Sequence, residues 1–355
     1  MLQSQLQDAL FKQGIQNLTT LQLNASTAIS TGSNAILSAP TGTGKTLAFL
    51  LPVFELSLAN AISQTLILAP TTELIIQILD QIRLLINNSQ LPITAISLIG
   101  HPDRIAKALR QKKPNIIVST PERALEFIKQ NKIKSPKIKT IVIDEADYFF
   151  RNEHKNLVEK IISSIPAAQI VLCSATLDTN NFQFLESPTI ITDDNHINQN
   201  ISHKFVITEH RKKYDTLKNL LNQYPSESML IFINNTYEAK IIYDKLVYNG
   251  FQTSLLIGNQ NKEERTNSLR NFRNNKTRIL ISSDLSARGL DIPNISHIIN
   301  LDLPPNSNSY IHRSGRCARF GRSGISLCII TKGEIKTIND YEKDLLVTFS
   351  QIKKE

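Results

Sequence analysis

The chain of 355 residues is 41% hydrophobic and 20% charged, which excludes a disordered polypeptide and favours two folded domains over one. Its net charge of +9 comes mostly from residues 201–355, with 23 Lys and Arg against 15 Asp and Glu, whereas residues 1–200 hold 17 against 16; this asymmetry favours a polyanionic partner. No apolar run is long enough to span a bilayer, no secretory signal is visible, and three separated cysteines favour neither disulfides nor zinc, so we expect a cytoplasmic protein.

Short β-branched segments alternate with longer segments of helical period along the whole chain. This alternation indicates right-handed βαβ units, and the near-continuous apolar character of the strands indicates burial on both faces. We therefore expect an α/β fold of two domains, each a mostly parallel sheet flanked by helices, with a cleft between them. The predicted strands are 34–39, 65–70, 94–99, 115–120, 140–144 and 169–174, then 229–234, 253–258, 277–284, 297–302 and 325–331.

A polar segment without helical period, 187–204, lies between the two halves. We place the domain boundary there, which gives a first domain of residues 1–197 and a second of residues 198–355 with a short helical C-terminus.

The segment APTGTGKT follows the first predicted strand and precedes a helical segment. Strand, glycine-rich turn and helix are the context of a phosphate-binding P-loop, because backbone N–H groups and the helix N-terminus surround the phosphate. Lys45 is predicted to reach the β- and γ-phosphates, and the Thr46 hydroxyl to bind Mg²⁺. A chance glycine-rich turn is the alternative. The other candidate nucleotide contacts are Ala39, Pro40, Thr41, Gly42, Thr43 and Gly44.

A P-loop requires an acid on a neighbouring strand to hold the metal, and VIDEAD at 142–147 supplies three candidates. Asp144 is predicted to hold Mg²⁺ through water, and Glu145 to orient and deprotonate the attacking water. Asp147 completes the cluster. The alternative is that these acids only form the N-cap and first turn of a helix.

These motifs, with others in order over nearly the whole chain, resemble the motifs of the DEAD-box RNA helicase family. No single tripeptide is specific, whereas the ordered set is. The further matching segments are GIQNLTTLQ (14–22), PTTELIIQ (70–77), TPER (120–123), SAT (174–176), IFINNT (231–236), SSDLSARGLDIP (282–293) and HRSGRCARFGR (312–322).

The resemblance implies two RecA-like domains that bind ATP and Mg²⁺, hydrolyse ATP and locally melt RNA duplexes. It implies that Gln22 pairs with the adenine edge and that Asp291 accepts a hydrogen bond from the ribose. Arg316 and Arg319 are implied to be arginine fingers for the γ-phosphate, with Arg322 on the surface. His312 and Arg313 are expected to bridge toward the acidic motif and the SAT segment. The residues implied to couple hydrolysis to domain movement are Ser174, Thr176, Asp147, His312 and Arg313.

The implied partner is single-stranded or partly duplex RNA, bound mainly through its sugar–phosphate backbone. A helix cap or turn is an equally weighted alternative for each contact residue. We expect a monomer without membrane contact, and we leave room for a protein partner that confers specificity. The implied RNA contacts are Thr71, Gly100, Thr120 and Arg123 in the first domain and Arg265 and Ser283 in the second.

Three departures from the family pattern lie on the RNA side of the first domain. Thr72 stands where the family carries Arg, His101 where it carries the second of two glycines, and Glu122 where it carries glycine. For this reason we weigh a second function, an ATP-gated RNA clamp or ribonucleoprotein assembly subunit with little unwinding activity. A DNA translocase fits less well, because the DEAD and SARGLD segments match the RNA branch.

Overall fold

In the computed structural model the chain divides into two compact units, the first comprising Met1–Ala39 and Thr43–Asp194 and the second comprising Pro40–Gly42 and Asn195–Glu355. No helix among the described residues has the length and apolar character to cross a membrane. The described residues are 3–40, 42–60, 63–150, 154–175, 182, 184–192, 199–225, 227–284, 295–318 and 322–352.

The first unit is built on a seven-stranded parallel sheet of order β3-β4-β2-β5-β6-β1-β7. Its strands are β1 (Ala35–Ser38), β2 (Gln64–Leu68), β3 (Ala95–Ser97), β4 (Ile116–Ser119), β5 (Ile138–Ile143), β6 (Gln169–Ser174) and β7 (Thr189–Thr192). Its helices are α1 (Ser4–Phe11), α2 (Thr20–Ser30), α3 (Lys45–Ala59), α4 (Thr72–Ser89), α5 (Pro102–Lys112), α6 (Pro121–Lys129), α7 (Ala146–Phe149) and α8 (Lys155–Ser163).

Both faces of this sheet are buried, because successive side chains of a strand point to opposite faces. On β2, Ile67 packs into the core beneath α2, α3 and α4, whereas Leu66 and Leu68 pack into the core beneath α5, α6 and α8. Val142 and Ile141 divide between the same two cores on β5. The loops that follow the strands therefore emerge together at one edge of a rigid two-faced sheet.

The second unit repeats this plan with a seven-stranded parallel sheet of order β10-β11-β9-β12-β13-β8-β14. Its strands are β8 (Ile201–Ile207), β9 (Met229–Phe232), β10 (Thr253–Leu256), β11 (Ile279–Ser282), β12 (His297–Asn300), β13 (Gly324–Ile330) and β14 (Phe349–Gln351). Its α-helices among the described residues are α9 (Lys213–Gln223), α10 (Thr236–Tyr248), α11 (Lys262–Arg273), α12 (Ser307–Ser314) and α13 (Ile335–Leu345).

The two-sheet α/β architecture and all eleven predicted strands are confirmed, but three strands were not predicted. The segment 187–204, placed between the domains for its polarity, contains β7 and the start of β8. The C-terminal segment contains β14 after helix α13. β7 and β14 are the last strands of their sheets, and most of their side chains are exposed, which is why they lack the apolar pattern of a central strand.

His203 on β8 is a buried imidazole that links strand and helix in the second unit. Its Nδ1 lies 2.7 Å from the Tyr310 hydroxyl of α12, which in turn donates to Ser326 Oγ at 2.9 Å. Burial lowers the pKa of His203 from its ordinary value of 6.5 to about 4.

This lowered pKa predicts an acid-sensitive second unit. As the pH falls, His203 in the unfolded chain takes up a proton first, so the stability contributed by the neutral imidazole is complete above its unfolded pKa and is lost toward its folded pKa. We expect a loss of roughly 2 kcal/mol between about pH 7 and pH 5 from this residue. His203→Gln should reduce the pH dependence by that amount in urea unfolding. Identical pH profiles for parent and variant would exclude this role.

Candidate functional site

The P-loop connects β1 to α3 and is held at both ends. Ala39 donates its N–H to the carbonyl of Ser174 at 3.1 Å, and its own carbonyl accepts a hydrogen bond from Lys45 Nζ. Gly42 and Gly44 have φ angles of 88° and 90°, a region that residues with a Cβ avoid. Lys45 and Thr46 open α3, so the lysine and the free N–H groups of the first helical turn lie at the same place.

The acidic segment follows β5, and its three carboxylates are buried: Asp144, Glu145 and Asp147 are 6%, 6% and 8% exposed. The Asp144 N–H bonds to Leu68 O at 2.9 Å, which fixes the segment against β2. Glu145 has a φ of 55°, and its N–H donates to Asp144 Oδ1 at 3.0 Å. Glu145 also occupies the N-cap position of the short helix α7, but its side chain makes no capping hydrogen bond. The cluster is therefore not explained by capping alone.

Electrostatics couples these acids to the P-loop lysine. Burial, followed by repulsion from Glu145, raises the pKa of Asp144 to about 7, and Lys45 opposes that rise. Burial lowers the pKa of Lys45, which the negative charges of Glu145, Asp144 and Asp147 oppose. Carboxylate and hydroxyl oxygens are the hard ligands that Mg²⁺ prefers, so the chemistry of the buried acids and of Thr46 fits that ion.

Gln22 has a structural role that the sequence analysis missed. Its Oε1 accepts from the Thr19 N–H at 3.0 Å while Thr19 Oγ1 accepts from the Gln22 N–H at 3.3 Å, a capping box at the start of α2. Its Nε2 donates to the Gly44 carbonyl at 3.3 Å. The amide thus ties α2 to the P-loop. The oxygen and the nitrogen of this side-chain amide can each form a further hydrogen bond, so adenine recognition by Gln22 stays a prediction.

The predicted RNA contacts of the first unit follow adjacent strands β2, β4 and β3. Thr71 accepts from the Leu74 N–H at 3.2 Å and Thr120 from the Arg123 N–H at 3.4 Å, so both threonines are N-caps, of α4 and α6. Arg123 Nη2 donates to the Gly100 carbonyl at 2.9 Å, which brings the predicted residues of two loops together. The cap alternative is thus realised for the threonines, and RNA contact stays a prediction.

In the second unit, Arg313 is the centre of a buried network. Its guanidinium has five N–H donors, and all five are used. Nε and Nη2 bind Asp284 at 2.5 and 2.8 Å, and Nη2 also binds Asn234 at 2.6 Å. Nη1 binds Asn300 Oδ1 at 3.1 Å and the Asp302 carbonyl at 2.7 Å. The donors of Arg313 are therefore filled within its own unit, and the expectation that Arg313 bridges toward the acidic motif stays a prediction.

The remaining predicted residues of the second unit lie just after α12, near the start of α11 and directly after β11. Arg316 is 4% exposed, and its Nε donates to the His312 carbonyl at 3.1 Å across the end of α12. Arg265 Nη1 donates to the Ile257 carbonyl at 2.9 Å, and Ser283 is buried directly after β11. Four predicted residues lie outside the described part of the chain: Thr41, Thr176, Asp291 and Arg319.

Comparison with known proteins agrees with this geometry. A family model described as DEAD/DEAH box helicase matches residues 19–184, and one described as helicase conserved C-terminal domain matches residues 212–321. The DEAD-box ATP-dependent RNA helicase CshC of Bacillus cereus is 32% identical over 99% of this chain and 91% of its own length. The probable ATP-dependent RNA helicase YfmL of Bacillus subtilis is 33% identical over 98% and 94%.

The chain belongs to the DEAD-box RNA helicase family. Among solved structures, S. cerevisiae Dbp5 bound to RNA and ADP BeF3 superimposes with a TM-score of 0.88 at 25% identity, covering 99% of this chain and 94% of Dbp5. The predicted fold of two RecA-like domains, the enzyme class and the function of an ATP-dependent RNA helicase are confirmed, and the relatives favour the helicase over the RNA clamp.

For this DEAD-box helicase we predict that Gly44→Ala is more harmful than its backbone angle alone explains. A Cβ on Gly44 would lie 2.5 Å from Gln22 Nε2, whereas one on Gly32, at a similar φ of 80°, would meet nothing within 4 Å. Both changes should cost about 1 kcal/mol of stability from backbone strain. Gly44→Ala should lose more and also weaken ATP binding, as read by urea unfolding and nucleotide titration.

The double variant Gly44→Ala with Gln22→Ala provides the control. Removing the amide removes the clash, so Gly44→Ala introduced into the Gln22→Ala variant should cost no more stability than Gly32→Ala costs the parent. If the double variant were less stable by the sum of the two single changes, the Gln22 amide would not press on the loop.

Proposed function

We propose that the P-loop and the acidic segment bind ATP with Mg²⁺ and that hydrolysis, assisted by Arg316 and Arg319, drives local melting of RNA duplexes. The observation that carries this assignment is the group of three buried carboxylates after β5, whose negative charges act on the P-loop lysine at the start of α3. Three carboxylates close to one lysine attract a divalent cation, and the ammonium group of Lys45 with the N-terminus of α3 attracts the phosphates that this cation accompanies. The motif set and the family membership support the same assignment.

Each residue of the first unit then has a chemical role. Lys45 and the N–H groups at the start of α3 bind the β- and γ-phosphates, and Gln22 reads the adenine edge. Thr46 and Asp144 hold Mg²⁺, which supplies charge neutralisation at the phosphates. Glu145 orients the attacking water and takes its proton, and its unusual backbone angle directs this carboxylate. The roles implied for Thr41 and Asp291, nucleotide contact and ribose binding, belong to the same proposal.

In the second unit, Arg313 acts as a positioning residue. Its bonds join Asn234 after β9, Asp284 after β11 and the end of α12, so these three segments move as one block. Arg316 follows directly on α12, and the block therefore fixes where its guanidinium is presented. We propose that Ser174, Thr176, Asp147 and His312 couple hydrolysis to domain movement, as in the family motifs they match.

RNA is the proposed partner, bound through its backbone. The helices α4 and α6 begin directly after β2 and β4, which are neighbours in the sheet, so two helix N-termini lie at the same edge. Helix N-termini attract phosphate through their free N–H groups. The RNA contacts of the second unit are proposed to be Arg265 and Ser283. The cytoplasmic location, the monomeric state, the boundary at residue 197 and a specificity-conferring protein partner stay predictions.

Glu145→Gln tests the assignment of the base. We expect this variant to bind ATP normally and to lose about 10²–10⁴ in hydrolysis rate, the usual contribution of a positioned acid–base group. Glu186→Gln, an exposed glutamate of the same unit, is the matched control and should turn over ATP like the parent. Single-turnover hydrolysis with RNA present gives the rates. Normal turnover by Glu145→Gln would remove Glu145 from the mechanism.

Strand release separates the helicase from the clamp. We expect the parent to release one strand of a short RNA duplex in the presence of ATP, and Glu145→Gln to bind the same RNA without multiple rounds of release. RNA-stimulated hydrolysis without any strand release by the parent would favour the clamp and contradict our proposal.

Arg319→Ala and Arg322→Ala test the arginine fingers. We expect Arg319→Ala to lower RNA-stimulated hydrolysis by about 10³-fold, in line with other arginine fingers, because charge on the transferring phosphoryl group loses its partner. Arg322, which is exposed, serves as the neighbouring control and should have a small effect. Equal losses in steady-state ATPase assays would show that the arginine row is a general basic surface.

A further inference from the structure

The first unit is nearly neutral overall, but its positive and negative side chains are concentrated in different parts of the chain. Residues 101–140 contain eleven Lys and Arg against three Asp and Glu, whereas the rest of residues 1–200 contains six against thirteen. The basic side chains are thus concentrated in the part of the chain that forms α5, β4, α6 and the start of β5. The ATP-binding segments described above lie outside this stretch.

Six of the seven exposed lysines of this stretch collect at the amino ends of two strands. Lys112 and Lys113 precede β4, Lys129 ends α6, and Lys134, Lys137 and Lys139 surround the start of β5; these six exposed residues are called the amino-edge surface. β2 separates β4 from β5, so their first residues lie about 10 Å apart. Gln64 Nε2 donates to the Pro114 carbonyl at 2.7 Å and so joins the start of β2 to the entry of β4.

This surface is on the far side of the sheet from the motif loops. The P-loop, the acidic segment and the caps of α4 and α6 all follow the carboxyl ends of parallel strands. Strands of four to six residues span roughly 13–20 Å at about 3.3 Å per residue. A nucleic-acid segment bound to the amino-edge surface is therefore not the same segment as the one bound at the motif loops.

The six lysines have no acidic partner in the described part of the chain. The nearby acids are used elsewhere: Glu126 pairs with Arg123 at 2.6 Å, and Glu159 pairs with Lys155 at 3.9 Å. Like charges about 10 Å apart lie close to the screening length of about 8 Å at physiological salt, so they repel one another weakly there and more strongly at lower salt. Binding an anion relieves this repulsion, so the surface favours a polyanion over a neutral partner.

An open groove of about 420 Å³ between α6 and α8 adjoins the surface through Lys129. Lys160 of α8 brings a second ammonium group to it. The groove extends the run of positive charge from the strand ends along the helices. Its other lining residues are Leu125, Asn156, Glu159, Ser163 and Ser164.

The composition of the surface indicates the kind of polyanion. No large exposed apolar side chain of the described chain falls within residues 101–140, so bases of a single strand would find nothing to stack on. Lysines are point charges that bind phosphates without reading bases. A duplex fits these properties, because it presents its phosphates outward and hides its base faces.

We propose that the amino-edge surface binds the phosphate backbone of duplex RNA that adjoins the strand engaged by the motif loops. This rests on the proposed function in one respect, that the substrate is RNA. If the amino-edge surface holds one duplex region of an RNA, the enzyme stays bound to that RNA while it melts a neighbouring helix.

The test replaces four of the lysines, Lys112, Lys134, Lys137 and Lys139, by glutamine. Binding of a labelled blunt RNA duplex is measured without nucleotide at several salt concentrations. We expect the duplex affinity to fall about tenfold or more and the salt dependence to decrease by roughly three to four units, about 0.9 for each lost contact. Binding of a short single strand with an ATP analogue, and ATPase stimulation by that strand, should not change.

Two control variants make the result specific. Four exposed lysines of the second unit, changed to glutamine together, remove the same charge and should alter duplex affinity less than about twofold. Arginine at the four test positions restores the charge and should restore duplex binding. The control lysines of the second unit are Lys276, Lys332, Lys336 and Lys343.

The proposal is overturned if the test and control variants weaken duplex binding equally, if the test variant binds duplex like the parent, or if the arginine version fails to restore binding. It is also overturned if the test variant keeps duplex RNA but loses binding to vesicles of anionic phospholipid, which would assign the surface to a membrane. The duplex measurement needs no ATP. A parent without RNA-stimulated ATPase would therefore refute the proposed function and still leave the duplex result readable.

Discussion

Asp144, Glu145 and Asp147 place three buried carboxylates in the first unit, and the positive charge of Lys45 opposes the rise in the pKa of Asp144. Keeping carboxylates ionised in a low-dielectric site costs free energy, and the raised pKa of Asp144 is the sign of that cost. The fold tolerates it because β5 is a central strand with neighbours on both sides, and the backbone bond from Asp144 to Leu68 prevents the segment from moving to solvent. Ligand binding can then relieve the unfavourable electrostatic free energy that these buried carboxylates already carry.

In the second unit the corresponding requirement is that a positively charged arginine side chain is held at a fixed place. A long arginine side chain on a surface helix has many rotamers, and ordering one costs free energy. Arg313 gives up all its donors to its own unit, and its guanidinium also lies 4.8 Å from the centre of the Phe232 ring. Arg313 therefore makes α12 rigid, so that the side chain of Arg316, one helical turn later, extends from an ordered backbone.

Much of the fold and of the nucleotide site could be predicted from the sequence, because both depend on local signals. Central strands such as β2 and β5 are apolar runs between turns, and the P-loop is a contiguous motif with one geometry. The edge strands β7 and β14 were missed, since an edge strand has no second neighbour to require an apolar pattern. The capping box of Thr19 and Gln22 was readable from its spacing but was hidden by the motif interpretation.

The contacts that could not be predicted join residues far apart in the chain. Asn234 and Arg313 meet across 79 positions, and His203 and Tyr310 across 107, with nothing in the local pattern to pair them. In the sequence Arg313 is one member of a repeating arginine row, and only the packed structure shows that all its donors are used within the second unit. A threonine that caps a helix and a threonine that contacts RNA can have the same local sequence. The sequence therefore leaves both interpretations open for Thr71 and Thr120.

The separation of charge within the first unit makes that unit an electric dipole, with excess positive charge on one stretch and excess negative charge on the remainder. In the field of a polyanion a dipole feels a torque as well as an attraction. A diffusing molecule would therefore be rotated before contact, so that its basic end approaches first. Ionic strength would then govern the orientation of early encounters and not only their number, since added salt shortens the distance over which the torque acts.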